Sequence, residues 1–148
     1  MHAPLTIKSI WAPFWPAEIS AWTSTGSVRE FIFATILAGK PLAYLFGYWH
    51  FFDLQLEVAP STLIPRPDTE LLVEQALSLP LPEQAKVLDL GTGSGAVALA
   101  LQHQRPHCEV CAVDVSQEAL EVARANAQRL NLPVQFVHSH WLDKVQGR

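Results

Sequence analysis

The stretch Val87-Leu88-Asp89-Leu90-Gly91-Thr92-Gly93-Ser94-Gly95 constrains this chain most: an aliphatic strand breaks into a glycine-rich turn that opens a helix. Three aliphatic residues among the four from Val87 to Leu90 predict a strand covered on both faces. The glycines let the backbone turn sharply and approach a ligand with no Cβ between them. Nineteen residues after Gly95, a second apolar strand, Val110 to Val113, ends in Asp114. A carboxylate there is placed to accept hydrogen bonds from a ribose diol. That spacing is the nucleotide-binding layout of a doubly wound α/β fold.

The class of ligand turns on a charge. Asp89 stands two residues before Gly91, where its carboxylate is expected to face the cradle. An anion in that place repels a pyrophosphate and attracts a cation. S-adenosylmethionine (SAM) carries a sulfonium and an ammonium and has no phosphate. The charge thus points toward SAM, with NAD as the alternative, and the preference rests in part on the resemblance given below.

Composition sets the outer limits. A chain of 148 residues makes one domain, or one small domain with an appendage. Hydrophobic residues at 49% with 16% charged supply a core and exclude a disordered class. A formal charge of −4 with no basic stripe argues against direct nucleic-acid binding. No apolar run reaches the length of a membrane span, and Pro4, Pro13 and Pro16 make a poor signal peptide, so the expected compartment is the cytoplasm. Cys108 and Cys111 form a lone C-x-x-C with no second ligand pair. The expectation is no metal site, with Cys111 a buried residue of the second strand and Cys108 at its entrance.

Residues 1 to 26, with Trp11, Trp15 and Trp22, show no clear period. Ser27 is expected to cap a helix from Val28 to Leu37, ended by Gly39 and Pro41. The alternation Phe52 to Val58 predicts a half-buried strand, paired in a hairpin with the aromatic run Tyr48 to Phe51. Asp68 or Thr69 is expected to cap a helix to about Leu79. Helices are then predicted over Ala96 to His103 and, capped by Ser116, to Leu130, with a third strand over Val134 to Val137. Right-handed crossovers give these three strands the spatial order 3-2-1, half of a doubly wound sheet with its first strand at an edge.

Three stretches resemble the N5-glutamine methyltransferases of peptide chain release factors, the HemK or PrmC family. Pro41-Leu42-Ala43-Tyr44-Leu45-Phe46-Gly47 is similar to the family's P-L-A-Y-I-x-G. Leu63 to Glu70 is similar to L-I-P-R-P-E-T-E, with Asp68 for Glu, and Leu88 to Ala96 resembles the SAM turn. The resemblance covers about residues 40 to 145. It implies a class I SAM-dependent (Rossmann-like) methyltransferase sheet and a methyl transfer to the side-chain amide of a release-factor glutamine. The organisation it implies is an atypical N-terminal helical segment over 1–45, a β-hairpin linker over 46–60 and a SAM-binding domain over 61–148.

Carried over by residue, the resemblance assigns Gly91, Thr92, Gly93, Ser94 and Gly95 to the methionine and ribose parts of SAM, beside Asp89. Asp114 takes the ribose hydroxyls, Trp141 lies against the adenine, and Arg66 shapes the substrate side. There are departures. His140 stands where the family has an Asp before the tryptophan, so an acceptor near the adenine is missing. The family's Asn-Pro-Pro-Tyr, which orients the glutamine amide, does not occur, so the chain is expected to carry the cofactor half and to be inactive alone. Alternatives within the class are a ribosomal-protein glutamine or DNA adenine methyltransferase; outside it stand a non-catalytic SAM-binding fragment and an NAD-dependent oxidoreductase.

Overall fold

The computed structural model describes residues 28–145, and the chain divides into two compact units, Met1–Leu45 and Phe46–Arg148. Trp11, Trp15, Trp22 and the Ser27 cap lie outside the described residues.

In the first unit, helix α1 (Val28–Leu37) ends where Gly39 takes φ 68°. The amides of Gly39 and Lys40 turn back onto the Ile36 and Thr35 carbonyls, which satisfies the last turn of the helix. Pro41 then starts the short helix α2 (Leu42–Phe46), which runs to the unit boundary.

The second unit opens with the antiparallel hairpin of β1 (Tyr48–Phe51) and β2 (Leu54–Glu57). The predicted strand is shorter than its alternation suggested. Phe52 and Asp53 form the two-residue turn, with Phe52 at φ 51°, a conformation such hairpin turns require. Phe51, Leu54 and Leu56 bury one face against Val73 and Leu99.

Helix α3 (Pro67–Ser78) begins two or three residues earlier than expected. Arg66 is its N-cap and Pro67 occupies the first turn, where a missing N–H costs nothing. Asp68 and Thr69 therefore lie inside the helix, and neither caps it. At the other end, the Arg105 guanidinium donates to the carbonyls of Leu77 (2.6 Å) and Leu79 (3.1 Å), closing the helix with a cation.

Strands β3 (Lys86–Leu90), β4 (Glu109–Asp114) and β5 (Gln135–His138) form a parallel sheet in the order β3-β4-β5, the predicted sequence of strands. They are joined by α4 (Ala96–Gln104) and α5 (Gln117–Leu130). The register pairs Val87 with Val110 and Asp89 with Ala112, so these side chains share one sheet face. Val87, Val110, Ala112 and Phe136 pack in the core with Ala98 of α4. On the other face, Leu88 and Leu90 stay 40% and 37% exposed. The expectation of a strand covered on both faces therefore fails among the described residues, because the described helices cover only alternate residues of β3, and those in part. β3 is also an edge of this sheet. The burial of the two cysteines is the reverse of the expectation: Cys108 is buried, its sulfur 3.7 Å from the Glu83 carbonyl, and Cys111 is half-buried on the open face.

No helix among the described residues is long and apolar enough to cross a membrane. None of the described His, Cys, Asp and Glu side chains cluster in a way that could hold a metal ion.

Candidate functional site

The carboxyl ends of β3 and β4 carry the glycine turn, and backbone hydrogen bonds fix it there. The amides of Gly91 and Thr92 both donate to the Val113 carbonyl, at 2.8 and 3.0 Å. The Gly95 amide donates to the Thr92 carbonyl at 2.9 Å, and the Gly95 carbonyl then accepts the first bond of α4 from Leu99. Gly91, Gly93 and Gly95 have φ of 78°, 56° and 87°, a region closed to most side chains.

The glycines differ in what surrounds them. A Cβ on Gly91 or Gly93 would meet nothing within 4 Å, so that side of the turn opens to space a ligand can fill. A Cβ on Gly95 would stand 3.0 Å from the Leu99 side chain and 3.3 Å from Ala123. Two of the glycines thus leave a cradle open, and the third lets α4 pack against α5. Between them, the Thr92 and Ser94 side chains are buried.

Two carboxylates flank the cradle. Asp114 accepts the Gly93 N–H on Oδ2 and the Ser116 N–H on Oδ1, both at 2.9 Å. Its orientation is set jointly by the turn and by the N-cap of α5, whose Ser116 hydroxyl accepts the Ala119 N–H at 3.1 Å. Asp89 accepts the Thr92 hydroxyl at 2.7 Å. Burial pushes its carboxyl above the ordinary value; bonds from Thr92 and the Ala98 backbone oppose that, and the charge of Asp114 adds to it. These two acids are near enough to repel each other, and a cation placed between them relieves that repulsion.

The structure brings together Asp89, Gly91, Thr92, Gly93, Ser94, Gly95 and Asp114. The other two expected residues stand apart in their contacts. Trp141 is 66% exposed at φ 51° in the turn after β5, which is anchored by the Ser139 amide on the Asp114 carbonyl. His140, beside it, has its Nδ1 3.7 Å from the Asp143 carboxylate. Arg66 is exposed at the N-cap of α3.

Two positions escaped the sequence reading. Glu70, in the I-P-R-P-x-T-E stretch, accepts the Phe52 N–H at 3.2 Å and so holds the hairpin turn. Asn126 is fully buried and bonds to Ser94 of the glycine turn. Its signal was present: it falls on the apolar stripe of α5 with Ala123 and Ala127, where a polar residue needs a partner.

A family model described as "Methyltransferase small domain" matches residues 67–148. Over 112 residues the chain is 51% identical to the release factor glutamine methyltransferase of Escherichia coli K12, covering 74% of this chain and 40% of that protein. Over 132 residues it is 46% identical to the Vibrio cholerae protein of the same name, covering 88% and 46%. The chain thus spans less than half the length of these curated relatives. Among solved structures, it resembles the Pyrococcus abyssi tRNA (uracil-54, C5)-methyltransferase in complex with S-adenosyl-L-homocysteine. The TM-score is 0.54 at 21% identity, over 63% of this chain and 23% of that one, a likeness of fold.

Proposed function

The chain belongs to the methyltransferase small domain family, and from that premise we propose that residues 61–148 bind SAM as part of a protein that methylates a glutamine side-chain amide in peptide chain release factors. The observation that carries the cofactor assignment is the pair of carboxylates, Asp89 and Asp114, on either side of a turn whose Gly91 and Gly93 leave ligand space open. The substrate assignment rests on the identity to the two release factor glutamine methyltransferases. Such a substrate places the reaction in the cytoplasm, on a protein partner and away from membrane and free nucleic acid.

In this reading the residues divide the work by chemistry. Asp114 is already oriented by two backbone N–H groups and has lone pairs left for the ribose diol. Asp89 supplies negative charge near the cationic end of the cofactor while its Thr92 bond holds it in place. Gly91 and Gly93 admit the ligand to van der Waals contact with the backbone. Trp141, exposed after β5, offers an aromatic face to the adenine, and Arg66 stands on the substrate side. When bound, SAM supplies the electrophilic methyl. The chain's own contribution is to hold that methyl in one direction, which is where rate is gained when the nucleophile is a weak amide nitrogen.

Calorimetry with SAM, S-adenosylhomocysteine and NAD tests the cofactor assignment: the sulfur-containing pair should bind and NAD should not. Tighter binding of NAD would reverse it. Mass spectrometry of a release factor incubated with the relatives' full-length counterpart of this chain and labelled SAM tests the substrate: label belongs on a glutamine amide nitrogen, and label elsewhere refutes it.

A further inference from the structure

Asn126 uses every hydrogen-bonding position its amide has. Its Oδ1 accepts the Glu57 N–H at 2.7 Å and an Arg129 Nη2 donor at 3.2 Å. Its Nδ2 donates to the Glu57 carbonyl and to the Ser94 carbonyl, each at 3.0 Å. Two donors and two lone pairs are all a carboxamide offers, and all four are engaged in a fully buried place. One side chain of α5 therefore joins both backbone groups of a hairpin residue to a carbonyl in the middle of the glycine turn.

The surroundings reinforce the joint. Arg129 also donates to the Gln55 carbonyl, and its Nε lies 3.5 Å from the Glu57 carboxylate. At the hairpin's other end, Glu70 holds the Phe52 amide and Gln104 reaches Asp53 at 3.4 Å. The hairpin is thus tied down at both ends. Ser94 lies between Gly93, whose amide addresses Asp114, and Gly95, which starts α4. The Ser94 carbonyl lies in one rigid plane with the Gly95 N–H, so fixing it fixes that plane.

We propose that Asn126 is a positioning residue for the cofactor turn: through the Ser94 carbonyl it fixes the peptide plane that carries the Gly95 amide, which anchors the turn beside Gly93, and it couples the turn to the hairpin strand β2. The identity of the ligand rests on the proposed function; the coupling does not.

The test uses the 148-residue chain with Asn126→Asp and Asn126→Ser. The aspartate keeps the shape and the Oδ1 acceptor but turns the donors into an oxygen facing two carbonyls. Val73→Ala, in the buried core of α3, is the control for stability alone. Binding of S-adenosylhomocysteine should weaken at least about tenfold in both Asn126 variants and stay within about twofold in the control. Gly93 and Gly95 amides should exchange at least about tenfold faster in the Asn126 variants while β4 amides keep their protection, the mark of a local opening. In the unaltered chain, S-adenosylhomocysteine should slow exchange of the Glu57 amide together with the turn, since coupling is reciprocal. A folded Asn126 variant with unchanged turn exchange overturns the proposal, as does a Glu57 amide indifferent to a ligand that protects the turn. Failure of the unaltered chain to bind would instead sink the cofactor reading, and ligand-free exchange at Gly93 and Gly95 would still decide the role of Asn126.

Discussion

The glycines of the turn make a paired prediction. Alanine at Gly93 or Gly95 must adopt a left-handed φ, at 56° or 87°, which costs about 1 to 2 kcal/mol for an L-residue. Both changes recover about 0.4 to 1 kcal/mol by restricting the unfolded chain. At Gly93 the account ends there, because a Cβ meets nothing within 4 Å, and the net loss should be about 0 to 1.6 kcal/mol. At Gly95 the new methyl stands 3.0 Å from the Leu99 Cδ1 and 3.3 Å from the Ala123 Cβ. Leu99 and Ala123 are themselves fully buried, so overpacking adds about 1 to 2 kcal/mol. Urea unfolding should therefore place the Gly95→Ala midpoint below that of Gly93→Ala by about 0.5 to 1 M. Affinity should run the other way: in the folded fraction, Gly93→Ala fills ligand space and weakens S-adenosylhomocysteine binding more. Equal midpoints, or a lower midpoint for Gly93→Ala, would refute the division of the turn into a ligand side and a packing side.

Asp114→Ala should weaken S-adenosylhomocysteine binding by about 1 to 3 kcal/mol in calorimetry, since the ribose hydroxyls lose a charged acceptor. Asp89→Asn should separate stability from binding. The folded carboxyl is held above its ordinary 3.8, mainly by burial, so the folded chain keeps a proton that the unfolded chain has lost. That destabilises the native carboxylate at higher pH and vanishes below 3.8. The amide, which still accepts from Thr92, should gain stability relative to Asp89 as pH rises from 3.8 through the raised value, and should bind the cationic cofactor less well. A stability difference that shrinks with rising pH would contradict this. Ser116→Ala should lower stability by about 1 kcal/mol through loss of the cap on Ala119, read from thermal unfolding.

Much of the fold was legible because local signals and tertiary packing agree in the cofactor half. The resemblance to the release-factor glutamine methyltransferases is matched by the curated relatives. Ser116 caps α5 as expected, and Leu120, Ala123 and Ala127 bury the stripe its period implies. The strand order follows from the handedness of crossovers alone. The errors came where two local rules competed. The alternation from Phe52 to Val58 hid a two-residue turn, because Phe52 has no turn-former's signature and its φ of 51° is held from outside, by Glu70 eighteen residues away. At α3, Pro67 preset the first turn and so displaced the cap to Arg66. The exposure of Leu88 and Leu90 was not legible, because an aliphatic run does not say which face a helix covers. That the glycines and both carboxylates come together at one sheet end was readable from their spacing. The local bonds of Asp89 with Thr92 and of Asp114 with Ser116 needed side-chain geometry, and the bond of Asn126 to the Ser94 carbonyl depends on where two separate elements meet.

The central claim is that a SAM-type cofactor lies across the glycine turn with its ribose on Asp114. A crystal structure of the chain grown with S-adenosylhomocysteine tests it directly. The account predicts ribose hydroxyls within hydrogen-bond distance of the Asp114 carboxylate, with the amino-acid end against Gly91 and Gly93 near Asp89. Ligand seated elsewhere, such as in the open groove between α5 and β5 beside Arg124 and Phe136, with the turn empty, would contradict it.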